Sequence, residues 1–251
     1  PRILSVAFDK NAAWLAGKRL DEVGIAVHTG VTAKQILRDD MSRVTGVLCT
    51  DGTHLECDAV VIAIGVVPNY GLAKDSGIDV DKGVVVDEHM RTSDESVYAA
   101  GDVAQAKDLL VGDNRVVPIW TNAYSQGLCA GKNMGGKDEP YAGGLAMNSI
   151  SFYGLPTISV GTVNPPAEEG YEIAALLDEK RQTYRKLVFQ GDRLVGYVLV
   201  GDIDQAGMYT AFIKFQFPVS AEAREKLVSG EPGVLLWPEE FFDHAWNPDH
   251  E

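Results

Sequence analysis

Two short apolar runs, each ending in glycine, constrain the fold of this sequence more than any other feature. Residues 59–64 are all apolar and precede Gly65, and residues 97–100 precede Gly101 in the same way. Apolar runs without polar alternation are typical of parallel strands that are covered on both faces. Because parallel strands are usually connected by helices, the two runs predict an α/β fold with parallel sheets.

A helix followed by a third apolar segment is predicted near the start of the chain. The helix covers residues 9–23, with Asp9 as its N-cap and Gly24 at its end. Residues 25–28 are predicted to form a short strand, which gives the interior of a βαβ arrangement. The first strand of that arrangement would come from a longer polypeptide or from a partner. The side chains predicted to lie towards one side of the helix are Trp14, Leu15, Leu20 and Val23.

A three-stranded meander is predicted over residues 34–58. Its last two strands are separated by Asp51-Gly52. An Asp-Gly pair between alternating strands favours a two-residue type I′ turn, in which both central residues have positive φ. Such a turn would place Cys49 opposite His54.

A helix rich in small residues is predicted over residues 122–134, directly after a loop that ends in Pro118-Ile119-Trp120-Thr121. Because the side chains on one side of this helix are small, another backbone or a flat ligand could approach it closely. Trp120 is as compatible with a buried core aromatic as with a ligand contact. The small residues at helical spacing are Ala123, Gly127, Ala130 and Gly131.

From about residue 147 the pattern becomes antiparallel, which predicts a separate α+β domain over residues 147–251. Alternating segments separated by turn residues indicate five strands, and two helices follow them. Asp204 and Ser220 are the candidate N-caps of these helices. The predicted strands cover 149–153, 157–163, 172–177, 184–189 and 194–200, and the predicted helices cover 204–215 and 221–228.

The composition excludes several classes of protein. The 251 residues carry 22 Lys and Arg against 36 Asp and Glu, a formal charge of −14, which disfavours nucleic acid and anionic membrane surfaces as partners. No apolar run approaches the ~18 residues of a membrane span. Only three cysteines are present, which argues against a disulfide scaffold and for a reducing compartment, the cytoplasm.

Three segments carry a resemblance to a known family. Residues 92–102 read TSDESVYAAGD and resemble the second flavin signature of the pyridine nucleotide–disulfide oxidoreductase superfamily. Residues 58–69 read DAVVIAIGVVPN and resemble the segment that links the NAD(P)H and FAD domains of that superfamily. Residues 147–237 resemble its interface domain, as found in NADH oxidase, rubredoxin reductase-like and nitrite reductase-like proteins. A Gly-Asp pair that ends a strand could also be an ordinary turn.

The resemblance implies a flavoprotein that passes hydride from NAD(P)H to FAD and electrons on to oxygen, a carrier protein or a downstream redox centre. It implies the remainder of an NAD(P)H domain over 1–65, the remainder of an FAD domain over 66–146 and an interface domain over 147–251 that pairs subunits into a homodimer. Hydride transfer needs orientation, so no catalytic side chain is expected. The residues expected at FAD are Gly101, Asp102, Pro118, Ile119, Trp120 and Thr121, and those expected at NAD(P)H are Gly65 and Val66.

Two expectations compete about the role of the chain. The Gly-x-Gly-x-x-Gly fingerprint, which this family uses once for FAD and once for NAD(P)H, does not occur in these 251 residues. The resemblance therefore covers the carboxyl-terminal portion of a family member, and the redox cysteines of many relatives would lie upstream. The alternative is a non-catalytic subunit or remnant that dimerises or docks a partner. Metal binding by His244 and His250 in the acidic tail is far less expected than a solvated tail.

Overall fold

The computed structural model describes residues 2–167 and 170–230, and within them five helices and eleven strands form. The helices are α1 Lys10–Glu22, α2 Gly71–Asp75, α3 Trp120–Met134, α4 Ala206–Lys214 and α5 Ala221–Ser229. The strands are β1 Ala33–Arg38, β2 Val44–Cys49, β3 His54–Glu56, β4 Val84–Val85, β5 Ala104–Lys107, β6 Asn114–Arg115, β7 Met147–Phe152, β8 Leu155–Gly161, β9 Tyr171–Asp178, β10 Thr183–Gln190 and β11 Arg193–Val200.

The largest sheet is antiparallel and contains five strands in the order β7-β8-β11-β10-β9. All five strands predicted after residue 147 are therefore confirmed, to within two residues at each end. They were predictable because alternation and turn residues are local signals. Ser220 caps α5 as predicted, since its Oγ accepts a hydrogen bond from the Ala223 amide at 3.2 Å. The prediction for α4 was wrong by one residue, because its N-cap is Gln205 and not Asp204.

The two faces of this sheet are covered by different parts of the chain. Helices α4 and α5 cover one face, where Tyr209, Phe212 and Leu227 pack on Leu187 and Tyr197. Helix α1 covers the other face and packs on buried residues of β8, β10 and β11. The second face of the sheet is therefore covered by a helix that lies more than a hundred residues earlier in the sequence. The α1-facing residues of the sheet unit are Leu155, Val163, Tyr184, Val198 and Val200.

Helix α1 confirms the predicted N-cap but not the predicted apolar face. The Asp9 carboxylate accepts a hydrogen bond from the Ala12 amide at 3.1 Å. Trp14 is 44% exposed, and Val23 is also exposed. Small side chains allow the helix to approach the sheet closely, so alanines provide most of the contact. The buried residues of α1 are Ala12, Ala13, Leu15 and Ala16.

The Asp9 carboxylate predicts a pH dependence of stability. Burial opposes its ionisation, but hydrogen bonds from Tyr184 and from the Ala12 amide, with the charge of Lys186, outweigh burial and hold its pKa below the ordinary value. A lowered native pKa means that the stabilisation is fully present above the unfolded pKa of about 3.9 and is lost as pH falls through the native value. We expect Asp9→Asn to flatten the free energy of unfolding against pH in this acid range, measured by urea titration. Equal slopes in the two proteins would contradict this expectation.

The predicted meander is confirmed as the sheet β1-β2-β3, but its register differs from the prediction by one residue. Leu48, and not Cys49, lies opposite His54. The Gly52 amide donates to the Cys49 carbonyl at 3.1 Å and Gly52 has φ +90°, which is the geometry of a three-residue loop with a glycine bulge. All three cysteines of the chain are free thiols.

The remaining sheet has the order β4-β5-β6 and contains the parallel pair β4–β5. The strands predicted over 25–28, 59–64 and 97–100 were wrong, because none of these segments forms a strand in the described part of the chain. Val61 is 89% and Ile64 91% exposed. Residues 97–100 form only an isolated bridge, in which Tyr98 lies opposite Arg91. A strand needs a longer run of hydrogen bonds to a neighbouring segment.

In the part of the chain that the structure describes, none of the helices combines the length and the apolar composition that crossing a membrane requires.

Candidate functional site

Gly101, which was predicted to contact FAD, lies against helix α3. Its amide donates a hydrogen bond of 2.7 Å to Oε1 of Gln126, a side chain that is almost completely buried. Gly101 has φ +83°, a left-handed conformation that favours glycine. A Cβ atom added there would lie 3.7 Å from Cβ of Ala123. The glycine turn and the helix are therefore joined nearly two turns from the amino end of α3, and the exposed Asp102 follows Gly101 directly.

The amino end of α3 is open. The N-cap is Ile119, whose backbone is extended, and among the described residues no side chain caps the helix. Its first-turn amides therefore keep their hydrogen-bonding capacity, and the helix dipole gives this end a positive partial charge. Trp120 is 94% exposed, so within the described structure it is not a core aromatic. Pro118 and Thr121 are exposed beside it.

One face of α3 is open along its length. Tyr124 and Leu128 are exposed large side chains on this face. The described residues leave at least 4 Å of free space around a Cβ atom placed on Gly127 or Gly131. Ala130 is buried instead, so the predicted seam of small residues divides between the open and the buried side. The open side combines glycines with aromatic and aliphatic groups, which suits close contact with a flat or apolar partner.

Polar side chains fix the opposite face of α3 in the protein. Asn122 accepts a hydrogen bond from the Leu145 amide at 3.2 Å and donates to the Val117 carbonyl at 3.3 Å. Asn133 donates to the Glu139 carbonyl at 2.8 Å. Gln126, Asn122 and Asn133 were not predicted as site residues, although side-chain amides at helical spacing among small residues indicate a helix whose position is fixed by hydrogen bonds.

Gly65 and Val66 lie on a different and exposed segment. Gly65 has φ +96°, and the described residues leave the space around its Cβ position open. Val66 is exposed together with Val67 on the same segment. Gly65 and Val66 are therefore not part of the contact between Gly101 and α3.

Two family models match this chain, one before and one after the start of the five-stranded sheet. The family model for pyridine nucleotide-disulphide oxidoreductase matches residues 1–127, which is more than half of the sequence. The chain belongs to the pyridine nucleotide-disulphide oxidoreductase family. The model for the rubredoxin NAD+ reductase C-terminal domain matches residues 147–216. FAD and NAD(P)H are the cofactors of this oxidoreductase family.

Three relatives illustrate the extent of the match. Nitrite reductase [NAD(P)H] of Bacillus subtilis is 29% identical over 94% of this chain, and the epsilon subunit of NADH-dependent phenylglyoxylate dehydrogenase of Aromatoleum evansii is 31% identical over 84% of it. The match spans 29% of the first relative and 50% of the second. The ferredoxin reductase for the CYP199A2 system of Rhodopseudomonas palustris superposes with a TM-score of 0.76 at 25% identity, over 88% of this chain and 54% of that one.

Cys129 is a buried free thiol on α3. Burial raises the pKa of the Cys129 thiol, which favours its protonated and unreactive form. The described residues contain no group of three or more His, Cys, Asp or Glu side chains that could hold a metal ion. The tail positions considered for a metal, His244 and His250, lie outside the described residues.

Proposed function

We propose that this chain supplies the FAD-contacting helix and the interface domain of an FAD-dependent NAD(P)H oxidoreductase. The observation that carries the proposal is the hydrogen bond that joins the Gly101 turn to Gln126 of α3. This bond holds the Gly101-Asp102 turn against α3, whose amino end is uncapped, and the family resemblance implies that both features contact the flavin.

The residues present fit an FAD molecule. First-turn amides of α3, at Trp120 and Thr121, are suited to donate to a group that gains negative charge, and the helix dipole favours that charge. The Asp102 carboxylate would accept hydrogen bonds from the hydroxyl groups of the ribityl chain. When bound, FAD would accept hydride from NAD(P)H, which Gly65 and Val66 would face. Pro118 and Ile119 would set the direction from which α3 starts.

We propose three classes of electron acceptor for the flavoprotein. The names of the relatives, a nitrite reductase and a ferredoxin reductase, point to a downstream redox centre and to a carrier protein respectively. Oxygen is the third acceptor that the family resemblance implies. The strongly acidic composition, with a formal charge of −14, is compatible with a carrier that presents a basic patch.

We further propose which surfaces of this chain contact the rest of the flavoprotein and a second subunit. The exposed apolar side chains of residues 61–67 and those on the open face of α3 are two surfaces of a kind that proteins usually cover. We propose that the remaining part of the flavoprotein covers both surfaces and completes the FAD pocket. The interface domain over 147–251 would pair two subunits, and the free thiols fit the reducing conditions of the cytoplasm.

A second candidate role is a non-catalytic subunit that docks a partner without binding a dinucleotide. The lack of a Gly-x-Gly-x-x-Gly fingerprint in these residues favours it, because that loop usually cradles the pyrophosphate.

A flavin titration separates the two roles. We expect the complete flavoprotein that contains this sequence to bind one FAD per chain and to lose its visible flavin absorbance on anaerobic addition of NAD(P)H. The 251-residue chain alone is expected to bind FAD weakly, because part of the pocket lies elsewhere. A complete protein without flavin absorbance would support the docking role. Tight, stoichiometric FAD in the isolated chain would contradict the expectation that the pocket is shared.

A further inference from the structure

A buried ion pair connects α1 to the five-stranded sheet. Nζ of Lys186 lies 3.1 Å from Oδ2 of Asp9, and the two side chains are only 7% and 18% exposed. The same ammonium group donates to the Val163 carbonyl at 2.8 Å. The Tyr184 hydroxyl donates to Oδ2 of Asp9 at 2.6 Å. The pair thus lies at the point where the amino end of α1 meets β10.

This arrangement satisfies the groups that it buries. A buried charge is strongly destabilising when its partner is removed, whereas a buried pair contributes little net stability compared with apolar residues of the same volume. Asp9 uses its other oxygen to cap α1 through the Ala12 amide. One carboxylate therefore fixes both the start of the helix and its contact with the sheet. Such geometry favours a defined orientation over additional stability.

The carboxyl end of α1 is held as well. The Arg19 guanidinium donates to the Tyr153 carbonyl, at 3.0 Å from Nε and 2.5 Å from Nη2. The Gln182 amide donates to Glu22 at 3.1 Å. Between these ends, the buried alanines of α1 pack on Val198 and Val200. The helix is therefore fixed to the sheet at two points about ten residues apart, so it can neither tilt nor slide freely.

We propose that Lys186 is a positioning residue that, through Asp9, fixes the NAD(P)H-binding unit of the flavoprotein relative to its interface domain. The inference rests on the proposed function, because α1 lies in the unit over 1–65 that we assign to NAD(P)H. Hydride transfer requires the reacting atoms to approach to about 3–3.5 Å, and a displacement of about 1 Å can lower the rate 100-fold. A helix fixed at both ends would hold the NAD(P)H unit at a defined position on the interface domain. Leu110 and Leu145 of the predicted FAD unit pack against the same domain, so both nucleotide-binding units would be positioned through it.

The test is Lys186→Met in the complete flavoprotein with FAD bound, studied by anaerobic stopped-flow reduction. Methionine keeps the length of the side chain but removes its charge. We expect the limiting rate constant of FAD reduction by NAD(P)H to fall at least tenfold, with a larger isotope effect for NAD(P)H deuterated at the transferred position. Reduction by dithionite should keep its rate. Loss of folded protein would lower the amplitude of the signal, and it would leave the rate constant of the folded fraction unchanged.

Three further variants make the test specific. Tyr184→Phe removes one hydrogen bond to Asp9 and is expected to slow reduction by NAD(P)H about threefold. Asp9→Asn combined with Lys186→Met removes the unpaired charge and is expected to recover stability but not the rate constant. The matched control is Lys226→Met, which breaks the exposed pair with Glu222 at 2.9 Å on α5 and should leave the rate unchanged.

The outcomes distinguish this inference from the proposed function. An unchanged rate constant in Lys186→Met, with normal reduction of the unaltered flavoprotein, would overturn the positioning role alone. An equal fall in Lys226→Met would also overturn it, because the effect would not depend on the α1 contact. If NAD(P)H failed to reduce FAD in the unaltered flavoprotein, the proposed function would fail and the positioning role with it.

Discussion

Replacement of Asp102 by alanine is expected to weaken FAD binding to the complete flavoprotein by about 10- to 100-fold, because a hydrogen bond to a charged group contributes about 1.5–3 kcal/mol. The side chain is exposed and follows the Gly101 turn that Gln126 holds against α3. Its removal should therefore reduce affinity without unfolding the protein. The measurement is a titration of the apoprotein with FAD, followed by quenching of flavin fluorescence, with circular dichroism to verify the fold.

The matched control for this variant is Asp75→Ala. Asp75 is the last residue of α2, is exposed and lies in the same predicted FAD unit, so the substitution removes the same charge. We expect its FAD affinity to stay within about twofold of the unaltered protein, since exposed charges at a distance are screened by salt. Equal weakening in both variants would indicate a general charge effect and would remove Asp102 from the FAD site.

Phe212→Ala is expected to lower the free energy of unfolding of the chain by about 3–5 kcal/mol, the range for large aromatic side chains in a core. Phe212 is 1% exposed and packs edge-on against Phe217, with ring centroids 6.1 Å apart. It lies where α4 meets the sheet, so its loss opens a cavity that the rigid strands cannot fill. Urea denaturation followed by tryptophan fluorescence measures the change.

Phe215→Ala provides the comparison, since Phe215 follows α4 directly and is about half exposed. The same atoms are deleted there, but much of the side chain already contacts water. We expect a loss at least threefold smaller than that for Phe212. Similar losses at the two positions would mean that α4 packs on the sheet in a different rotation from the one described.

The antiparallel unit after residue 147 was predictable because its signals are local. Alternation along β10 and β11, and the Gln190-Gly191-Asp192 turn between them, define the hairpin without reference to the rest of the chain. The N-caps Asp9 and Ser220 were predictable for the same reason. Each such feature depends on residues within three or four positions of one another.

Features that depend on distant partners were not predictable in the same way. Residues 59–64 have the composition of a buried strand, but pairing and coverage decide whether such a strand forms. The β2–β3 register depended on whether the turn at Gly52 held two or three residues, and the sequence is compatible with both. Lys186 is an ordinary charged residue in the sequence, and only its proximity to Asp9 gives it a role.

In the candidate site, too, some residues were predictable from motifs and others only from the structure. Gly101 and the start of α3 were predicted from motifs, and the structure joins them through Gln126. Motif matching did not identify Gln126, because one glutamine in a helix carries no distinctive pattern. The assignment of these residues to FAD, and of Gly65 and Val66 to NAD(P)H, stays a prediction that the Asp102 variant addresses directly.

The long separation between α1 and the sheet that it covers has a consequence for biosynthesis. The hydrogen bond between Asp9 and Tyr184 joins residues 175 positions apart. At a translation speed of about 5–20 residues per second, the ribosome needs roughly 9 to 35 seconds to produce the second of them after the first. During this interval the alanine-lined side of α1 has no sheet to cover it. Apolar surface that waits for a distant partner in this way is prone to aggregation until the partner has been synthesised.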